Sequence, residues 1–206
     1  MLYKKGMMQK IFSQEFRFKD DNGVEFGEWE TYKYVEIMHH KSNKYNPETG
    51  SSTPCVELEH IEQGNGTLLG FSQAKEQKSI KNIFNSGDVL FGKLRPYLKK
   101  YALAPFDGVC SSEIWVLKGT KVSNQFLFYM VQTESVIDLA NKSTGSKMPR
   151  ADWSTIAEEF CCIPQPPEQT KIANFLSAID DKIHITQNQR EQMREWKKGL
   201  LQQMVV

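Results

Sequence analysis

A chain of 206 residues with 26 basic and 25 acidic side chains carries a formal charge of +1, so it is long enough for a medium domain plus an extension, and any nucleic-acid argument must rest on local clusters and not on bulk charge. No apolar run reaches the ~18 residues of a membrane span and no apolar signal core follows Met1, which leads to the expectation of a soluble, cytoplasmic chain. Cys55, Cys110, Cys161 and Cys162 form no C-x-x-C, and the adjacent pair is poor geometry for a metal or a disulfide, so buried thiols in a reducing compartment are expected.

Residues 3–12, YKKGMMQKIF, read as a short basic helix and match residues 196–205, WKKGLLQQMV. Lys4, Lys5, Gly6 and Gln9 return as Lys197, Lys198, Gly199 and Gln202, and Met7-Met8 return as Leu200-Leu201. A helical glycine costs roughly 1 kcal/mol, so its recurrence at one place in both copies implies a packing reason and not chance. Residues 13–30 turn polar around Lys19-Asp20-Asp21-Asn22-Gly23, a turn signal, and read as a linker. Residues 1–24 are thus an N-terminal helical stub with its linker, and residues 25–163 form the domain that follows.

That domain opens near Trp29. Residues 39–53, HHKSNKYNPETGSST, form a loop of functional length that offers Lys41, Asn43, Lys44 and Tyr45. His39 and His40 have no third ligand at suitable spacing and read as solvated. Residues 55–61 alternate as a strand, Gly64-Asn65-Gly66 marks a turn before a strand at 67–71, and residues 72–81 read as a solvent-facing loop or short helix with Lys75 and Lys78. In residues 87–100, GDVLFGKLRPYLKK, Val89, Leu90 and Phe91 read as a buried strand and Pro96 stops regular structure. Lys93, Arg95, Lys99 and Lys100 gather near Tyr97, as a reader of phosphates and base edges requires; a charged surface strand is the plain alternative.

Residues 110–117 are a further strand, and Ser123 caps a helix over 124–139 that is apolar nearly all round and belongs in a core. Residues 141–150 make a small, polar, basic loop whose Ser143, Ser146, Lys147 and Arg150 suit phosphate. Asp152 caps a short turn through Ala157, residues 160–163 form a last strand, and Pro164, Pro166 and Pro167 stiffen the passage into a long helix. Over residues 167–204, Ile172, Leu176, Ile179, Ile183, Thr186, Arg190 and Met193 follow at alternating four- and three-residue steps, and Trp196, Leu200 and Met204 continue the stripe. This is the pattern of a coiled-coil seam. Roughly 37 helical residues make a rod of about 55 Å, too long for the domain to cover, so another part of the chain or a second copy must lie along it. The expected fold class is α+β: a mixed globular domain of short strands over 25–163, then a long dimerisation and spacer helix over 164–206.

The segment at 87–100, the strand GVCSSEI at 108–114, the Gly145 loop before Trp153, and Pro164 leading into Pro167-Glu168-Gln169 form an ordered series. With Lys171-Ile172-Ala173, Asp180 and Lys197-Lys198-Gly199-Leu200-Leu201, the series resembles the specificity subunit of type I restriction-modification enzymes over nearly the whole chain. The resemblance implies a target recognition domain that reads one half of a split DNA site. Such a subunit carries two of these domains, separated by two long antiparallel helices; this sequence contains one domain, one full helix and the end of another. It looks like a half-length form, and a homodimer through antiparallel long helices is the natural completion, with the polar residues from Thr186 to Arg190 where the copies cross.

Implied partners are double-stranded DNA, DNA methylation subunits holding S-adenosylmethionine, and a restriction and translocation subunit using ATP and magnesium. No cofactor is expected in this chain. It has no Gly-rich cofactor loop, methyltransferase motif, phosphate loop or nuclease spacing, and reads as non-catalytic. The competing class is a protein–protein scaffold, an α+β module on a coiled-coil stalk with its lysines merely solvated.

Overall fold

Three consecutive apolar residues in a strand require cover on both faces, and Val89, Leu90 and Phe91 obtain it. In the computed structural model, which describes residues 2–49, 52–142 and 148–203, the elements in chain order are α1 (Leu2–Phe12), β1 (Glu30–Lys33), α2 (Tyr34–Ile37), β2 (Met38–His39), β3 (Lys44–Tyr45), β4 (Pro54–Val56), β5 (Ser72–Gln73) and β6 (Lys81–Phe84). They continue with β7 (Val89–Gly92), β8 (Tyr101–Leu103), β9 (Gly108–Cys110), β10 (Ile114–Gly119), α3 (Asn124–Met130), α4 (Glu134–Asn141), α5 (Trp153–Ala157), β11 (Phe160–Ile163) and α6 (Pro166–Gln203). This mixed architecture ending in a long helix is the α+β class expected.

Strands in the order β2-β10-β7-β8 make one sheet and β3-β6-β9-β4-β5 a second, with β4 and β9 parallel and the other neighbours antiparallel. Because side chains alternate along a strand, Leu90, Ile114 and Val116 point between the sheets onto Val56, Phe84 and Cys110. Val89, Phe91 and Leu117 point the other way, into the main core with α1, α3 and α6. A separate pair, β1 with β11, sets Glu30 opposite Ile163 and Lys33 opposite Phe160, so the chain enters and leaves the domain on adjacent strands.

Several local expectations change. Residues 55–61 are not one strand: β4 ends at Val56, and a 3-10 turn at Leu58–His60 follows, with the Glu57 N–H donating to His60 Nδ1 at 2.9 Å. Cys55 and Val56 are both buried because β4 is covered on both faces, which removes the alternation. Residues 67–71 supply only a bridge from Leu68 to Ile61. The polar segment 72–81 holds β5, a 3-10 turn at Ala74–Glu76 and the start of β6, where buried Lys81 pairs with Glu57 at 2.5 Å. A buried charged residue at the start of β6 hid that strand from hydropathy.

The helix expected over 124–139 breaks after Met130, and Thr133 Oγ1 donates to the Met130 carbonyl at 2.7 Å before α4 begins. Cys55 and Cys110 are buried as expected, but Cys162 is exposed on β11, which has a partner strand on one side alone.

Residues 13–30 are likewise no free linker. They strap across the start of α6. Arg17 donates from Nε and Nη2 to the two oxygens of Glu168 at 2.8 and 2.9 Å, and Trp29 Nε1 donates to the same carboxylate at 3.1 Å. Phe18 packs edge-on against Phe175, and Lys171 Nζ donates to the Lys19 carbonyl at 2.7 Å. Further back, Lys4 pairs with Asp180 at 2.7 Å, so α1 runs antiparallel to α6. Burial holds the Lys4 ammonium below its ordinary pKa against the opposing pull of Asp180.

These contacts divide the seam expected along α6. Ile172 and Leu176 are sealed in the chain's own core and Ile179 packs against it. Ile183 is half-buried, Thr186 and Arg190 are exposed, and Met193 and Trp196 are each 70% exposed, with Leu200 also exposed. Met204 lies outside the described residues. The first turns of the stripe are thus used internally, and the last are exposed with no cover among the described residues. Glu168→Ala would strand the Arg17 guanidinium and the Trp29 indole N–H in a largely buried site; a loss of about 2–4 kcal/mol is expected in urea unfolding.

Candidate nucleic-acid interface

Beyond β7 the chain forms a ledge. The Lys93 N–H donates to the Glu113 carbonyl at 2.9 Å, the Arg95 N–H to the Pro149 carbonyl at 2.8 Å, and the Ala151 N–H to the Lys93 carbonyl at 2.8 Å. Arg95 and Lys99 bracket the 3-10 turn Pro96–Leu98, both in the left-handed region with φ of 52° and 50°. Non-glycine residues in that region cost of order 1–3 kcal/mol and persist where the surroundings over-determine them. Here Pro96 is buried and the Leu98 and Lys99 N–H groups bond back to the Arg95 and Pro96 carbonyls at 2.9 Å. The ledge holds Arg95 in solvent and leaves Tyr97 51% exposed.

A second segment approaches the same rim. His40 stacks on Trp153 at 4.4 Å and meets Trp115 edge-on at 5.7 Å, and Trp115 in turn stacks on Phe91. Burial, then the nearby His39, Lys93, Lys41 and Lys44, lower the His40 pKa, which keeps the ring neutral at pH 7. Lys41 lies on the loop between β2 and β3, Lys44 begins β3, and Lys93 follows β7. Asn43 lies on that loop, its carbonyl accepting from the Ile83 N–H at 2.9 Å. Tyr45 is half-buried against Cys55, Ala74 and Val109. Lys75 and Lys78 are exposed on and after the turn that follows β5, at the opposite edge of the five-stranded sheet from β3. The turn Pro47–Thr49 packs against Ala74–Glu76 and joins the two loop sets.

The expected cations therefore divide by chemistry. Lys100 Nζ donates to the Leu58 and Ile61 carbonyls at 2.6 and 2.9 Å, Lys99 pairs with Glu134 at 2.7 Å, and Lys44 Nζ donates to Asn82 Oδ1 at 2.6 Å. Arg150 is forked onto Glu113 at 3.0 and 3.2 Å, which raises its pKa. Among the described residues, Lys41, Lys75, Lys78, Lys93 and Arg95 have no carboxylate partner. Ser143, Ser146 and Lys147 lie outside the described residues. Residue-by-residue reading missed the His40–Trp115–Trp153 cluster and Glu113, which anchors both Lys93 and Arg150; the aromatics are dispersed in sequence and no local period links them.

The site thus belongs to a two-sheet α+β domain that grips the first turns of a long helix and carries, on several loops, cations without a carboxylate partner among the described residues. The chain belongs to the type I restriction modification DNA specificity domain family, whose sequence pattern matches residues 26–195. It is 27% identical over 174 residues to the type I restriction enzyme EcoDI specificity subunit of Escherichia coli, covering 83% of this chain and 39% of that protein. It is 25% identical to the MjaVIII specificity subunit of Methanocaldococcus jannaschii, covering 96% of this chain and 51% of that one. The HsdS subunit from Thermoanaerobacter tengcongensis has the same fold, with a TM-score of 0.67 at 21% identity over 80% of this chain and 45% of that chain. The chain spans about two fifths to one half of the length of these relatives.

The split among the cations is testable by stability. Lys100→Ala leaves two backbone carbonyls unsatisfied and is expected to cost about 1–3 kcal/mol in urea unfolding, whereas Lys93→Ala and Arg95→Ala should each stay within about 0.5 kcal/mol of the parent.

Proposed function

We propose that this chain is a non-catalytic specificity component of a type I restriction-modification system and reads one half of a bipartite DNA site. The observation that carries the reading is that five cations, Lys41, Lys75, Lys78, Lys93 and Arg95, have no carboxylate partner among the described residues in a domain that belongs to a DNA specificity family. The rigid ledge of Lys93, Arg95 and Tyr97 sets register on the sugar–phosphate backbone, and the loops bearing Lys41, Asn43, Lys75 and Lys78 reach base edges. A pre-strained, fully bonded ledge suits a fixed landmark such as phosphate; loops at sheet edges can vary without disturbing the core.

Two copies related by a two-fold axis read two half-sites. With α6 helices antiparallel and crossing within residues 186–190, and each domain gripping its helix near Ile172, the domain attachments lie about 50 Å apart, more than one DNA turn of about 34 Å. The helix pair then sets the half-site spacing and offers a surface to methylation subunits, which carry S-adenosylmethionine, and to a restriction and translocation subunit that uses ATP and magnesium.

Purified protein, alone and with a methylation subunit, is expected to bind DNA with a log-linear fall in affinity as salt rises. Lys93→Ala and Arg95→Ala should each lower the slope by about one and weaken all sequences alike, while changes at Lys41 or Lys75 alter preference between sequences. No salt-dependent DNA binding in either preparation would favour the scaffold reading.

A further inference from the structure

His40 sits on the basic rim with a ring whose charge can change near neutral pH. It follows β2, and its imidazole lies nearly flat on Trp153, with 4.4 Å between centroids and 20° between planes, while Trp115 meets it edge-on at 5.7 Å. Trp115 is buried and meets Trp153 edge-on at 5.8 Å, so two indoles from different elements, β10 and α5, hold the imidazole in one plane. Neither ring nitrogen of His40 hydrogen-bonds to a described residue, and neither is sealed from solvent. A firmly packed ring with open nitrogens is placed to meet a group from outside the chain.

The surrounding charges select that group. The charged side chains that act on His40 are His39, Lys93, Lys41 and Lys44, all basic. The acids on the elements packed against it are engaged elsewhere: Glu36 of α2 accepts from the Lys33 N–H at 2.7 Å, Asp152 accepts from Ser154 Oγ at 2.7 Å, Glu158 pairs with Lys33 at 2.7 Å, and Glu113 is forked by Arg150. On β10, Lys118 is paired with Asp88 at 3.1 Å. Open nitrogens in a basic neighbourhood favour an anion.

We propose that His40 is a DNA-contacting residue whose ring donates a hydrogen bond to a backbone phosphate, on the stretch of DNA met by Lys93. The contact rests on the DNA-reading function proposed above and makes the strength of that reading depend on pH. In the free chain, burial and the neighbouring cations keep the ring neutral at pH 7. A phosphate offsets those cations and favours the imidazolium, which the face of Trp153 also favours over the neutral ring. Binding therefore takes up a proton from the solvent. Because the ring is more basic in the complex than in the free chain, affinity rises as pH falls through the bound-state pKa and levels off below the free-state pKa.

The test measures the affinity of the full chain, alone and with a methylation subunit, for mixed-sequence DNA duplexes from about pH 8 to about pH 6, in the parent and in His40→Gln. Glutamine keeps a polar side chain but does not titrate there, and circular dichroism confirms that the variant folds. As pH falls, the parent is expected to gain up to about tenfold in affinity per pH unit over the variant. Near pH 6 its slope of log affinity against log salt should be steeper by about one, and near pH 8 the two slopes should agree. The effect should be the same on duplexes of different sequence, since a phosphate contact carries no sequence information. In the parent, the assigned His40 ring resonance should titrate at higher pH with the duplex than without it, a measurement that decides the matter even if the variant fails to fold. Equal pH profiles and salt slopes in parent and folded variant, or a His40 titration that DNA does not raise, overturn the contact and leave the DNA-reading function standing. An effect confined to some sequences puts the ring on a base edge and overturns the phosphate assignment. A parent that binds no DNA in either preparation removes the proposed function, and this contact with it.

Discussion

Two adjacent polar side chains at the start of α6, Glu168 and Gln169, are sealed from solvent, and the rest of the molecule is arranged around satisfying them. A buried carboxylate is tolerable only when paired and hydrogen-bonded. Glu168 has the Arg17 guanidinium across both oxygens and the Trp29 indole as a third donor, and it sits in the first turn of α6, where the helix dipole favours an anion. Gln169 accepts from the Ser123 N–H and donates to the carbonyls of Lys121 and Pro164. Between them the two residues tie the incoming strap, the exit from β11 and the cap of α3 to one point. They also fix the rotation of α6, since Ile172, Ala173 and Leu176 can enter the core only if Glu168 and Gln169 face inward.

Fixing that rotation decides what the remainder of α6 presents. The first turns are held by apolar burial and by ion pairs to α1 and the strap; the last turns project beyond the domain with apolar and basic residues in solvent. Apolar groups exposed at helical spacing on a projecting rod are a surface for another helix. The proposed two-fold pairing uses that surface without disturbing the part of the helix on which the domain depends.

The same economy governs the basic rim. Several lysines and arginines hold the domain together: Lys100 clasps the turn at Leu58–His60, Lys99 ties the ledge to α4, Lys81 neutralises Glu57 inside a sheet, and Arg150 locks a neighbouring segment to Glu113. Spending some cations on structure leaves a smaller group with unsatisfied charge, and in the proposed function these are the ones that meet DNA. The neutral His40 wedged between Trp115 and Trp153 adds rigidity beneath them without adding charge.

The sequence by itself determined the elements whose signal is local and strong: the long helix and its stripe, the Val89–Phe91 strand, the cap at Ser123, the final strand at 160–163, the Lys-Lys-Gly repeat and the ordered series that resembles the family. Only the tertiary structure decided how α6 is divided between cover within the chain and exposure, because that depends on Arg17 and Trp29 meeting Glu168 across more than a hundred residues of sequence. It also decided that residues 13–30 are a strap and that Lys81 opens a strand, since a buried ion pair reads as polar surface in composition. The candidate interface was half legible: Lys93, Arg95 and Tyr97 stand out by charge beside an aromatic, but charge alone cannot distinguish them from Lys99 and Lys100 in the same short segment. That distinction is made by which carboxylates and carbonyls the fold brings within hydrogen-bonding distance, a property of packing that no local pattern encodes.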